Sequence, residues 1–387
     1  MGFLNRAAGR TAAVALAVAL AACASNDEKE DVDPVELVDI NSTVALQEVW
    51  SADIGGIDQK RYAMLQPSLI DGRLIAASSD GEISAFDRSS GRKLWETDLD
   101  VDLSGGVGTG LGMAVVSDYR GRAVALDLEN GAELWNYQVS GEVVAAPAIG
   151  AGVVVLQTVD GKLVGLDATS GEELWSHNTN LPVLTLRGTA APVISGGMVI
   201  AGLDNGKLLA LDARDGIQRW EQRVAIPQGS AELERVVDID GAPVVRGDLV
   251  FAASYQGRVV ALSKDNGRGL WARDASTHHE VAVGGGHVYL SDASGSVYAY
   301  NVGSGQIEWS NNELLRRELS GPAFFQDVVV VGDLEGYLHV LDPNSGQFIG
   351  REQVDGDAIR IPILVDGDLI FVLSDDGKLS ALRLADS

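Results

Sequence analysis

Apolar and polar positions alternate in short blocks along this chain, and the blocks return at a spacing of about 40 residues. Each return opens on a brief segment that often carries proline: Pro67, Pro147, Pro192, Pro243, Pro322 and Pro362. A run rich in Val, Ile and Leu follows, as at 153–156 and 328–331. Near-continuous apolar runs of this length suit strands covered on both faces. Turns such as Asp80-Gly81, Asp160-Gly161, Asn205-Gly206 and Asp376-Gly377 then lead to a third apolar strand, and such pairs are strong hairpin signals. Helical spacing is nearly absent; residues 313–317 offer at most one turn.

The end of each block is the most regular part. Asp167, Gly171 and Trp175 stand four apart, and Asp87-Gly91-Trp95, Asp127-Gly131-Trp135 and Asp212-Gly216-Trp220 repeat the spacing. Weaker copies start at Ser263 (ending in Trp271), at Asn301 (ending in Trp309) and at Asp342, where Gly350 holds the Trp position. The Asp side chain can accept N–H groups of the next few residues and start a turn. The Gly supplies the positive φ that closes it. The Trp lies on a strand face where a large ring packs against the next unit.

Eight opening segments can be counted, near residues 67, 107, 147, 192, 243, 281, 322 and 362. The eighth block ends at Ala381-Leu382 without a Trp strand. Ala45-Leu46-Gln47-Glu48-Val49-Trp50, ahead of the first block, reads as that missing strand. Pairing the two closes a ring and removes two exposed edges. The expected fold is all-β: an eight-bladed propeller over 44–387, closed by an N-terminal strand.

Residues 1–22 lie outside that pattern. Arg6 and Arg10 precede an apolar run that is too short to span a bilayer, as in a signal peptide. Leu20-Ala21-Ala22-Cys23 then matches a lipoprotein cleavage box, and Cys23 is the one cysteine of the chain, so no intramolecular disulfide forms. An ordinary secretory leader with an incidental cysteine is the plain alternative. Loss of Arg6 and Arg10 with the leader takes the formal charge from −26 to −28. That acidity argues against nucleic acid and against electrostatic binding to anionic lipid. Residues 23–43 are acidic and lack aromatics, which predicts a flexible tether behind a lipidated Cys23.

The lipoprotein box, the Asp-Gly-Trp repeat and the eight blades together resemble the BamB family of propeller lipoproteins. Two stretches sharpen the likeness: Leu184-Thr185-Leu186-Arg187 and Asp238-Ile239-Asp240. The resemblance implies a non-catalytic scaffold of the BAM complex, lipid-anchored on the periplasmic face of the outer membrane. In that family the equivalent segments contact a POTRA domain of BamA. Ala24, in place of an Asp after the lipidated cysteine, agrees with an outer-membrane address.

The residues themselves point to the same two stretches. Most Trp-to-next-block links are short, but 175–192 and 220–243 are long and consecutive, and they leave the same face of the disc. Long connections on a rigid scaffold commonly carry function. Leu181, Val183, Leu184 and Leu186 either face a partner or tuck into the adjoining blade. Exposed blade edges could also pair with unfolded outer-membrane protein strands.

Other constellations are weaker. His278-His279 with His287 lacks metal-ligand spacing and reads as solvated loop histidines. Asp98, Asp100 and Asp102 alternate like a strand face and lack the rest of a calcium loop. Arg316-Arg317 reads as a solvated pair. The rival function is a quinoprotein dehydrogenase, since the Trp repeat is shared with pyrroloquinoline-quinone enzymes. Those enzymes commonly carry adjacent cysteines and an acidic calcium set, and neither can be assembled here, so no cofactor is expected. A propeller lipoprotein with another envelope partner is the third reading.

Overall fold

A computed structural model describes residues 33–56, 65–180, 182, 190–227 and 236–386. From Pro34 onward the described chain forms eight four-stranded antiparallel sheets, the eight blades that the repeat predicts. In blade 3 the strands A to D are Ala148–Gly150, Val153–Gln157, Lys162–Asp167 and Glu173–Asn178. Strand A sits nearest the ring axis, where A strands of neighbouring blades meet. Strand B is buried along its whole length, as its apolar run requires, whereas strand D buries only its Trp. Blade 8 takes strands A to C from Leu364–Asp366, Leu369–Leu373 and Lys378–Asp386, and strand D from Val44–Asp53. Val44 pairs with Asp386 and Asp53 with Lys378, so the ring is closed between chain ends.

Strand direction alternates within each blade, so every D strand ends, every A strand begins and every B–C turn lies on one face of the ring, here termed the link face. The A–B and C–D hairpins occupy the opposite, hairpin face.

The three residues of the repeat form one joint between blades. Asp167 Oδ1 accepts the N–H groups of Thr169 at 3.0 Å and Ser170 at 2.9 Å, shaping the C–D turn of blade 3. Gly171 adopts φ 73° in that turn. A Cβ on Gly171 would come within 2.7 Å of the Trp135 ring of blade 2, which lies beneath it. The Trp135 indole Nε1 donates to the Ala168 carbonyl of the same turn at 2.9 Å. Trp95 donates likewise to Leu128, Trp175 to Ala213, Trp220 to Lys264, Trp271 to Val302 and Trp309 to Pro343. Trp50, from the closing strand, reaches the Arg88 carbonyl of blade 1. Opposite each Trp, strand C carries a small residue (Ala85, Ala125, Gly165, Ala210, Ala261, Ala299 or Ala381).

The junction of blades 7 and 8 is built differently. Gly350 stands where a Trp would, opposite Val340. Blade 8 has no C–D turn to receive an indole, because its third strand ends at Asp386 and its fourth begins at Val44. The vacated place is crossed by the N-terminal chain: a Cβ on Gly350 would lie 2.7 Å from the Val44 carbonyl oxygen.

Residues 34–43, which the sequence places in the tether, lie along the outer edge of blade 7. The Val35 N–H donates to the Leu315 carbonyl at 3.1 Å, and the Thr43 N–H to the Ile349 carbonyl at 2.8 Å. Leu37 packs against the apolar cluster shared by blades 6 and 7.

Three sequence expectations are corrected. Arg317 is not solvated: it is 3% exposed and donates from Nε to Asp333 Oδ2 at 2.8 Å. His287 is buried against Glu308 and Tyr289, away from His278 and His279. Asp98 ends strand D of blade 1, and Asp100 turns the chain at φ 52°, so the three acids share no strand face.

Candidate partner-docking site

The strands that flank the two long links, between blades 3 and 4 and between blades 4 and 5, end and begin on the link face. Leu184, Leu186 and Arg187 fall outside the described residues. In the second link, residues 236–243 form a packed plug and not a solvated loop. Val236, Val237, Asp238 and Ile239 are all buried, and Ile239 fills the space above Gly202, where a Cβ would lie 2.6 Å from it. Gly241 passes so close to the next link that a Cβ there would come within 2.3 Å of the His279 carbonyl oxygen.

This plug brings three carboxylates together. Asp204 comes from the B–C turn of blade 4, while Asp238 and Asp240 come from the link. Burial first, then the charges of Asp238 and Asp240, push the Asp204 carboxyl up to about 8. Asp238 is fully buried, and its backbone carbonyl accepts the Tyr255 N–H at 2.8 Å. The Asp240 side chain keeps 9% exposure, and its Oδ2 bonds His278 Nδ1 at 3.2 Å. The His278 ring stacks on Tyr255 with centroids 4.4 Å apart. The two predicted acids therefore differ: Asp240 reaches the surface through an exposed imidazole, whereas Asp238 is enclosed in the plug and tied there by its main-chain carbonyl. Sequence reasoning missed Asp204, His278 and Tyr255 here. The apolar run Val236-Val237, with Ile239 after it, was the available signal for the plug.

Beside the plug, the ring axis holds a cavity of about 50 Å³ lined by Gln66, Asp240, His278, His279, Glu280 and Arg360 among others. A wider space of about 300 Å³ is walled mainly by Pro, Ala, Val and Ile of the A strands, with Glu280 as its one carboxylate. Burial pushes Glu280 up to about 7 and pulls His279 down to about 4, with His278 adding to the latter. Glu280 alone does not supply the roughly six to eight oxygen ligands that calcium takes. These residues do not fit a quinone held by calcium. Elsewhere on the link face, Asp355, Asp357 and Asp376 bring oxygens within 4.8 Å of one another, with Ser374 donating to Asp355 and Asp376.

Comparison with known proteins decides the family. The profile described as "Outer membrane protein assembly factor BamB" matches residues 79–311 and 297–387. The Pseudomonas aeruginosa protein of that description is 49% identical over 373 residues, covering 96% of this chain and 98% of its own. The chain belongs to the BamB family. The crystal structure of BamB from Moraxella catarrhalis superposes with a TM-score of 0.80 at 29% identity, over 87% of this chain and 99% of that one. A quinohemoprotein alcohol dehydrogenase from Comamonas testosteroni matches with a TM-score of 0.68 at 15% identity, over 87% of this chain and 76% of its own, a likeness of fold alone.

Proposed function

We propose that the protein is a non-catalytic scaffold lipoprotein of the machinery that assembles outer-membrane β-barrel proteins. Acylation of Cys23 holds it to the periplasmic face of the outer membrane. The ring docks on a POTRA domain of BamA through the two long links, using Leu184, Leu186 and Arg187 from one and Asp240, supported by Asp238, from the other. Family membership over the whole propeller supports the assembly role. The observation that carries the docking site is the packed plug at 236–243. It gives residues 236–243 of the second link a fixed shape on one face of a rigid ring, so that little conformational freedom is lost there on binding. The same ring, held near BamA, offers blade edges to unfolded barrel strands.

Copurification of BamA with single alanine variants tests the site. Leu186→Ala and Arg187→Ala are expected to cost at least ~1–2 kcal/mol of binding with unchanged melting curves. Asp240→Ala is expected to weaken recovery with little change in melting, while Asp238→Ala, which leaves a void where a fully buried side chain packs in the plug, lowers both. Undiminished recovery in all four removes these links from the interface.

A further inference from the structure

The segment 34–43 is held by a buried ionic cluster of blade 7. Arg317, Asp333 and His339 are 3%, 0% and 0% exposed. Arg317 Nε and His339 Nε2 both bond Asp333 Oδ2 at 2.8 Å, and Arg351 Nε donates to His339 Nδ1 at 3.1 Å. That pattern fixes the tautomer: Nδ1 accepts, so Nε2 carries the proton given to Asp333. Each arginine keeps one amine for the N-terminal segment. Arg317 Nη1 donates to the Val35 carbonyl at 3.1 Å and Arg351 Nη1 to the Val38 carbonyl at 2.8 Å. Glu335 takes the remaining Arg317 amine.

Buried charges persist where each one is satisfied, and two of these hydrogen bonds are completed by main-chain carbonyls of 34–43. Leu37 adds apolar contact at the seam between them. Direction matters as much as attachment. Leu315 and Arg317 belong to the link from blade 6 to blade 7, and Arg317 O accepts the Leu334 N–H of a B–C turn, so Val35 lies on the link face. Ile349 is near the start of strand D of blade 7, so Thr43 lies towards the hairpin face.

We propose that residues 34–43 are a strap and not part of the leash. The Arg317–Asp333–His339–Arg351 latch carries it across blade 7, so that the lipid-bearing N-terminus leaves the ring by the link face. This rests on the lipid-anchor reading and deepens it. The chain from Cys23 to Pro34 then spans eleven residues, with a fully extended reach of about 40 Å. A leash reaching to Thr43 would extend about 70 Å and would start from the opposite face. The strap thus keeps the proposed docking links on the membrane side of the ring.

The lipidated full chain in vesicles with a fluorescent headgroup acceptor tests this, using donors on Gly356→Cys (link face) and Asn344→Cys (hairpin face). Both sites belong to the blade 7 region and both are exposed. Energy transfer is expected to be greater from 356 than from 344. Leu37→Asp, which lies outside the repeat strands and replaces an apolar contact with a charge, is expected to bring the two towards equality and to abolish hydrogen-exchange protection of 34–43. Arg351→Lys, which retains charge but loses the two-pronged contact, is expected to reduce that protection. Equal transfer in the parent protein overturns the link-face exit. Exchange in 34–43 as fast as in 24–33 overturns the strap. Absence of any vesicle association refutes the lipid anchor instead, and the exchange measurement then judges the strap by itself.

Discussion

Seven blade junctions share one joint, and the eighth does without it. In the seven, an indole is clamped between a small residue of its own blade and the glycine of the next turn, and its N–H is fixed by a turn carbonyl. At the junction of blades 7 and 8 the turn is missing, the Trp is replaced by Gly350, and the N-terminal chain crosses the gap. The difference shows that the Trp is kept wherever a turn exists to receive it. It is a half of a joint, and it disappears together with the other half.

The largest effect should come from the closing strand. Removing residues 44–53 takes away Trp50 and the whole Lys378–Asp386 pairing, and it bares two strand edges. Circular-dichroism melting is expected to fall well beyond that of a protein trimmed over 24–33; equal melting would mean that the ring closes another way. Next comes an ordinary joint: Trp175→Ala should destabilise by ~3–5 kcal/mol in denaturant titration. Trp175→Phe, which loses the bond to the Ala213 carbonyl, should recover much of that but not all.

At the eighth junction the sign of a size change reverses. Gly350→Ala adds a methyl where the Val44 carbonyl already sits, and it should cost ~1–3 kcal/mol. Gly356→Ala, in open space, serves as the near-neutral control. A destabilisation equal to the control would show that the strand gives way there. The smallest effect concerns the turn acids that blade 8 lacks. Hydrogen bonds from Ser90 and Ser89 hold the Asp87 carboxyl down to about 2, below its ordinary 3.8. A lowered pKa contributes stability above the unfolded value, and that contribution is lost as pH falls through the folded one. Asp87→Ala should therefore flatten the acid limb of the stability profile between about pH 4 and 2 and leave neutral pH behaviour parallel to the parent.

The sequence made the blades legible because each one repeats its own pattern, and an orphaned strand at 45–50 completes a count that is otherwise one short. The joint was half legible. Turn and packing roles follow from residue type, but the contact between Gly171 and the Trp of the preceding blade joins residues 36 apart and needs the ring to be built. The contacts of 34–43 with blade 7 were not legible because acidic composition says solvent, while Arg317 and Arg351 bond main-chain carbonyls, which no side chain advertises. Arg317 was misread for a related reason: its partner Asp333 is sixteen residues on, in the next blade. In the docking region, Asp238 and Asp240 looked equivalent, and only burial separates a support from a surface group.

Closure between Val44 and Asp386 also sets an order of events. The partner of the first strand lies 342 residues downstream, so that strand must wait, unpaired, until seven blades and most of an eighth have formed. Long-range pairing of this kind is slow, and a waiting strand edge is open to wrong partners. A chain delivered N-terminus first therefore spends its folding time as an open crescent, with its first strand exposed throughout. Whatever shields residues 44–53 during that wait favours the closed ring over wrong pairings.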